Sequence, residues 1–321
     1  MKLLIVGAGT PVGKELITLL RQRKITFHSL NERQNNLDNP VLIGQAVSRT
    51  APDQVINLTS FRVQSQQAVM LAERHQEECR LLNFRLPRTL AVVCRDQGIP
   101  LLQLSSPYVF DGEKKLGYNE QDEPMPQGIY GRTALQAEVE LQKIERHIII
   151  RSGWLFGPGM NEQIKGWIKA TKKHRGDLKV VRRRFSPTAT EDLARVLLAV
   201  SQQVDCQASV WGVYHYCGLE TKKEIEFVLQ VLKYASQHDE QVYQLIDTLK
   251  ITETSLSPPE IPNATLSSKK LFDTFGIKQR SWHGSLQTAI KSMYQSRGEA
   301  RSETGDTSTR STALQSTRNP H

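Results

Sequence analysis

Met1-Lys2-Leu3-Leu4-Ile5-Val6-Gly7-Ala8-Gly9-Thr10-Pro11-Val12-Gly13 is the stretch on which the reading of this 321-residue chain turns. A short apolar run ending in glycine predicts a buried strand over 2–6. Pro11 suits the first turn of a following helix, where its missing N–H costs nothing. Leu16, Leu19 and Leu20 then give that helix an apolar face as far as residue 24. Strand, glycine-rich turn and helix in that order make a loop able to cradle a pyrophosphate. The glycines admit the ligand to the backbone, and the helix N-terminus offers donors and a favourable dipole. The spacing is G-x-G-x-x-x-G, and a tight turn in a nucleotide-free domain would use the same residues. The opening also resembles a secretory leader, but its apolar part is too short and runs straight into glycines; a cytoplasmic location is expected.

Outward from this unit, strands are predicted at 25–30, 54–58, 101–104 and 147–151, with helical patterns at 40–50, 75–97 and 130–146. Strand and helix in alternation predict a Rossmann-type, doubly wound parallel sheet over residues 1–150. Beyond 151 the rhythm loosens. Helices are expected at 161–174, 190–203, 221–236 and 281–294, with one strand at 210–216. Residues 151–294 therefore read as a smaller, mostly helical substrate-binding lobe, with some crossing of the chain between the two parts. Residues 295–321 are Ser, Thr, Arg, Gly and acids with almost nothing apolar, and read as a disordered tail.

With 38% hydrophobic and 23% charged residues, fibrous and wholly disordered classes are excluded, and no apolar run is long enough to span a bilayer. Cys79, Cys94, Cys206 and Cys217 form no C-x-x-C pair, and no His cluster has zinc-ligand spacing, so no metal site is expected. Cys79 falls in step with Leu82, Leu86, Leu90 and Val93 and reads as core. His28, His147 and His215 sit in strand-like runs and read as structural. The net charge is +9, yet nine Lys and Arg against only Asp177 fall within 165–184. Such a patch can hold a diphosphate, a nucleic acid or an acidic protein surface, while over 165–175 a solvated helix face reads the same. Aromatic residues do not interleave with Arg182-Arg183-Arg184 apart from Phe185, and no nucleic-acid motif occurs; nucleic acid is not an expected partner.

Two further segments carry chemistry. Leu104-Ser105-Ser106-Pro107-Tyr108-Val109-Phe110-Asp111-Gly112 leaves the fourth strand at its carboxyl end, where such sheets place ligands. Tyr130-Gly131-Arg132-Thr133-Ala134-Leu135-Gln136-Ala137-Glu138 opens a helix. The Ser106 hydroxyl and the Tyr130 phenol could together polarise a carbonyl that receives hydride. Asp111 reads as a turn residue. Trp154 and Phe156 are candidates to line a substrate pocket, against core packing, and Arg184 is a candidate to reach a substrate diphosphate, against a plain surface position.

These segments resemble the extended short-chain dehydrogenase/reductases, most closely the dTDP-4-dehydrorhamnose reductase family, whose related branch includes the regulatory subunit of methionine adenosyltransferase. The resemblance runs from Met1 to about Tyr294. It takes in Pro52-Asp53-Gln54-Val55-Ile56-Asn57, Leu81-Leu82-Asn83, Arg151-Ser152-Gly153-Trp154-Leu155-Phe156-Gly157, Phe185-Ser186-Pro187-Thr188 through Ala194, and Pro262-Asn263-Ala264-Thr265-Leu266 through Leu271. It implies NADPH or NADH as cofactor, with Gly7, Gly9, Thr10, Val12, Gly13, Asn31, Arg33, Leu58, Thr59 and Tyr130 at the dinucleotide. It implies a nucleotide sugar at Ser106, Tyr108, Trp154 and Arg184, and catalysis by Tyr130 and Ser106. Asn31-Glu32-Arg33 carries both an acid and an arginine, which argue in opposite directions between NADH and NADPH.

The chain departs from the family pattern at five places. Pro107 replaces an acid in the S-T-D-Y-V-F-D-G pattern, and Ala134 replaces the lysine of Tyr-x-x-x-Lys. Thr10 takes the middle glycine of G-x-x-G-x-x-G, Leu58-Thr59-Ser60 replaces a run of small residues, and Asn36 replaces an acid beside the adenine. Residues 130 and 134 lie one helical turn apart, so the lysine would lower the tyrosine pKa from about 10 and hold the ribose. Arg132 points elsewhere on the helix. The expectation is a reductase-like protein that binds NAD(P)H and a nucleotide sugar, with impaired 4-keto reduction. The alternatives are a non-catalytic regulatory or scaffolding subunit with a homodimeric or other protein partner, and an active reductase in which another group supplies the lost charge.

Overall fold

The computed structural model describes residues 1–30, 39–62, 67–206 and 209–305. Six parallel strands form the central sheet. They are β1 (Lys2–Val6), β2 (Thr26–Leu30), β3 (Gln54–Asn57), β4 (Leu101–Ser105), β5 (His147–Ser152) and the strand Gly212–Tyr216. The last lies beside β5 at one edge, followed by β4, β3, β1 and β2. The winding direction reverses between β1 and β3, and ligands of such sheets bind in the crevice beyond the carboxyl ends there.

β1 is apolar throughout because both faces of the sheet are covered. Leu3 and Ile5 pack with Leu16 and Leu20 of α1 (Pro11–Gln22) and with the helix Thr190–Asp205. Leu4 and Val6 face the other way, against α2 (Pro40–Thr50) and the later α5 (Leu86–Gln97). All four side chains are fully buried, which stabilises the fold by roughly 1.5–3 kcal/mol apiece relative to exposure.

The region expected as one helix over 75–97 is helical from Gln76 to Gln97 and is widened in its middle. Preceded by α3 (Ala68–Arg74), α4 (Gln76–Arg80) passes through a π-helical turn, Leu81–Arg85, before α5 begins. Pro87 accounts for the wide turn: its ring clashes with the carbonyl four residues back, at Asn83, and it offers that carbonyl no N–H. The turn leaves Asn83 buried. Cys79 is buried, in agreement with the spacing.

The chain crosses between its two parts. The helix Thr190–Asp205 and the strand Gly212–Tyr216 return to the sheet, so the lobe is built from discontinuous segments. Its own core gathers Phe156, Trp167, Phe185, Phe227 and Trp282. Beside its helices it carries, among the described residues, three small sheets: Asp177–Val181 paired with Lys250–Thr254, Arg184–Phe185 between Lys222–Lys223 and Asn263–Ala264, and Leu155–Phe156 paired with Thr188–Ala189. Strands of two residues are too short to show a period-2 pattern, and 210–216 was the one strand expected in this half. The final helix, His283–Gly305, runs past Tyr294, and the rest of the expected tail lies outside the described residues. Among the described residues, no helix is long and apolar enough to cross a membrane.

Candidate active site

A cleft with about 1140 Å³ of empty space, counted out into open solvent, lies beyond the carboxyl ends of β3, β4 and β5. It brings together Thr59, Ser106, Tyr108, Tyr130 and Trp154 from the sequence candidates, and adds Ser60, Asn83, Ser105, Glu138 and Arg183.

Tyr130 stands in the first turn of α6 (Ile129–Leu141), and a Cβ on Gly131 would lie 2.0 Å from the Tyr108 carbonyl oxygen. Only glycine lets the helix approach the loop this closely. The Tyr108 and Tyr130 rings consequently meet edge to face, with centroids 5.9 Å apart. The Tyr130 hydroxyl is 2.8 Å from Ser60 Oγ, and Ser60 in turn donates to Asn83 Oδ1 at 3.2 Å. Asn83 Oδ1 also accepts from the Phe61 N–H at 2.6 Å, and Asn83 Nδ2 donates to the Tyr130 carbonyl at 3.4 Å. Burial pushes the Tyr130 phenol up to about 12, with the Ser60 hydrogen bond acting in the opposite direction. Ala134, one turn along, lines the same cleft. Ser106 caps the short 3-10 turn Pro107–Val109 by accepting from the Tyr108 N–H at 3.2 Å.

Below the cleft floor lies a buried ionic network. Glu138 shares the α6 face of Tyr130 and Ala134 and accepts from Arg151 Nε at 3.0 Å and from Ser105 Oγ at 2.5 Å. Arg151 also stacks over Phe110, 4.9 Å from the ring centroid, and reaches His215 Nε2 at 3.3 Å. Burial, helped by Arg151, depresses the His215 imidazole to about 3, so it is neutral and structural, as its strand position suggests. At the far end, Arg183 is paired with Glu224 and lies 3.4 Å from Glu260, which accepts from the Tyr108 hydroxyl at 2.8 Å. Burial, reinforced by Glu260, raises the Tyr108 phenol well above its usual range.

Arg184 does not reach the cleft. Side chains alternate along a strand, so Arg183 and Phe185 turn inward while Arg182 and Arg184 are exposed. The arginine that lines the cleft is thus Arg183, one position before the one expected. Asp111 is the turn residue expected, accepting from the Glu113 N–H at 3.1 Å. Asn31, Arg33 and Asn36 lie outside the described residues.

The glycine loop packs on Thr59 of the cleft wall, and its own residues are not among those that line the cleft. Gly7 has φ +84°, and a Cβ there would lie 2.9 Å from Thr59 N, which packs the loop against the end of β3. Leu58 is directed into the core and fully buried. The space above Gly9 is open, and a Cβ on Gly159 would sit 3.4 Å from the Pro11 ring, so the 157–160 turn joins the loop to the cleft wall at Met160. Two of the usual helix-start donors are absent or used. Pro11 has no N–H, and the Gly13 N–H donates to Thr10 Oγ1 at 3.0 Å while that hydroxyl donates to the Gly7 carbonyl at 2.8 Å. Within the cleft, Ser152 Oγ and Trp154 Nε1 are buried without a hydrogen-bond partner among the described residues. Unpaired buried polar atoms of this kind suit a bound polar ligand.

A six-stranded parallel sheet with a glycine-rich loop after β1 and a cleft beyond the carboxyl ends of its strands defines a Rossmann-type α/β protein. Within that class, the chain belongs to the RmlD substrate binding domain family, whose model matches residues 1–295. It is 25% identical over 291 residues to the dTDP-4-dehydrorhamnose reductase of Aggregatibacter actinomycetemcomitans, covering 89% of this chain and 97% of the relative. Among solved structures, the dTDP-4-dehydrorhamnose reductase of Clostridium acetobutylicum is 27% identical with a TM-score of 0.78, covering 91% of this chain and 99% of that one. The Bacillus anthracis dTDP-4-dehydrorhamnose reductase in complex with NADP shares the fold at a TM-score of 0.73 and 23% identity, with coverages of 91% and 98%.

Proposed function

We propose that the chain binds a nicotinamide dinucleotide and a nucleotide sugar in this cleft and reduces a 4-keto group of the sugar slowly, with Tyr130 as the proton donor. The observation that carries this reading is the Tyr130 hydroxyl, presented in the cleft at the carboxyl end of the sheet with Ser106 among the lining residues. Gly7, Gly9 and Val12 would face the pyrophosphate, and Thr59 and Tyr130 the nicotinamide side. Ser106, Tyr108, Trp154 and Arg183 would face the sugar nucleotide. A bound reduced nicotinamide would supply hydride to the carbonyl carbon. Tyr130 then gives its proton to the carbonyl oxygen, and a phenol raised to about 12 is protonated at neutral pH and able to do so. Ala134 offers no ammonium to stabilise the phenolate left behind, which supports a slow rather than a fast reductase.

Calorimetric titration with NADPH and, separately, NADH tests the binding half, and turnover of dTDP-4-dehydrorhamnose tests the chemistry. Micromolar binding and slow turnover are expected. Binding of neither dinucleotide nor nucleotide sugar overturns the proposal and favours a non-catalytic regulatory role.

The self-capped loop yields its own expectation. Thr10→Gly releases the Gly13 N–H toward the pyrophosphate, and one added hydrogen bond to a charged group should tighten dinucleotide binding about tenfold. The loss of the cap costs only a few tenths of a kcal/mol in stability when glycine is the replacement. The same titration and a thermal melt check both effects.

A further inference from the structure

We propose that Ser60 is a positioning residue for Tyr130, holding the phenol at rest and donating a hydrogen bond to its oxygen once the proton has left. This rests on the reading of Tyr130 as proton donor.

Ser60 has one proton to give and two neighbours within reach. With that proton on Asn83 Oδ1 at 3.2 Å, the 2.8 Å contact with Tyr130 is the phenol donating to Ser60 Oγ. When Tyr130 turns its proton to a substrate carbonyl, its oxygen becomes an acceptor, and the Ser60 hydroxyl can rotate from Asn83 to Tyr130. The rotation strands nothing, because Asn83 Oδ1 still accepts from the Phe61 N–H at 2.6 Å. It exchanges a long neutral hydrogen bond for a shorter one to a charged oxygen, which is the stronger kind. The Tyr130 proton ends on the product hydroxyl, the hydride comes from the reduced nicotinamide, and solvent reprotonates the phenolate as product leaves.

The geometry is held from three sides. Ser60 follows the end of β3, Asn83 is fixed by the π-helical turn, and Tyr130 by the close approach of Gly131 to the Tyr108 carbonyl. Ala134 leaves the cleft without a cation at the turn beyond Tyr130, so a hydroxyl is the polar group that meets the phenol oxygen directly.

The test compares wild type, Ser60→Ala and Ser60→Thr. In turnover of dTDP-4-dehydrorhamnose with NADPH, Ser60→Ala should lower kcat about ten- to a hundredfold with KM little changed, and Ser60→Thr should restore most of it. In the free protein at neutral pH, the ring-carbon NMR signal of Tyr130, assigned by its loss in Tyr130→Phe, should shift in Ser60→Ala and return in Ser60→Thr. Turnover and NMR signal both unchanged in Ser60→Ala overturn the assignment while leaving Tyr130 as proton donor. An equal loss in the alanine and threonine variants also overturns it, as a packing effect. A wild type that binds no dinucleotide and turns over nothing overturns this assignment and the reductase reading together.

Discussion

Tyr130→Phe is expected to lower the rate of keto-sugar reduction by roughly 10²- to 10⁴-fold, the usual worth of a positioned general acid. The substitution keeps the ring that packs edge to face on Tyr108 and removes only the hydroxyl. Ser60 retains its hydrogen bond to Asn83, so no buried group is left unpaired and the fold should be unaffected. Single-turnover kinetics with NADPH measure the rate, and a thermal melt separates chemistry from stability. The pH dependence follows from the raised phenol: the acid form is the active one, so ionisation of Tyr130 should not reduce the rate until the pH approaches about 12. An unchanged rate in the phenylalanine variant would move the proton donor to another hydroxyl of the cleft, with Ser106 and Tyr108 the candidates.

Glu138→Ala should be the most destabilising single change in the site, by about 3–5 kcal/mol. Glu138 and Arg151 are 1% and 3% exposed, and the substitution leaves the buried guanidinium with His215 Nε2, the face of Phe110 and the longer-range attraction of Glu120 in place of its direct ion pair. Breaking one partner of a buried pair costs far more than the pair itself contributes, because the remaining charge has no solvent. Glu138→Gln preserves shape and one acceptor and should lose less. Urea unfolding read by circular dichroism checks the order. A loss below about 1 kcal/mol for the alanine variant would mean that water reaches Arg151. Activity should fall as well, since Glu138 also holds the Ser105 hydroxyl beside Ser106 at the end of β4.

Much of this protein is legible along the chain. The strand-like runs at 2–6, 25–30, 54–58, 101–104 and 147–151, the glycine turn after the first of them and the intervening helical periodicities determine a parallel sheet wound on both sides. They do so because a strand buried on both faces must be continuously apolar, and because Pro and Gly mark where helices begin and end. The location of the cleft follows from the same order, as do Ser106, Tyr108 and Tyr130 as residues brought to it.

Other features belong to the tertiary structure alone. Whether Arg183 or Arg184 faces the cleft depends on the phase of a two-residue strand, which carries no period to read. The strand Gly212–Tyr216 joins β5 rather than the lobe because its pairing is chosen by packing across the intervening residues 153–211, not by its own composition. Asn83 turns inward where Pro87 widens the helix, Ser60 meets Tyr130 across 70 positions, and Glu138 finds Arg151 only when α6 is laid on the sheet. Periodicity records which residues leave water. Which polar groups then become partners is settled by three-dimensional packing, since a buried donor or acceptor must find its complement in whatever element lies opposite.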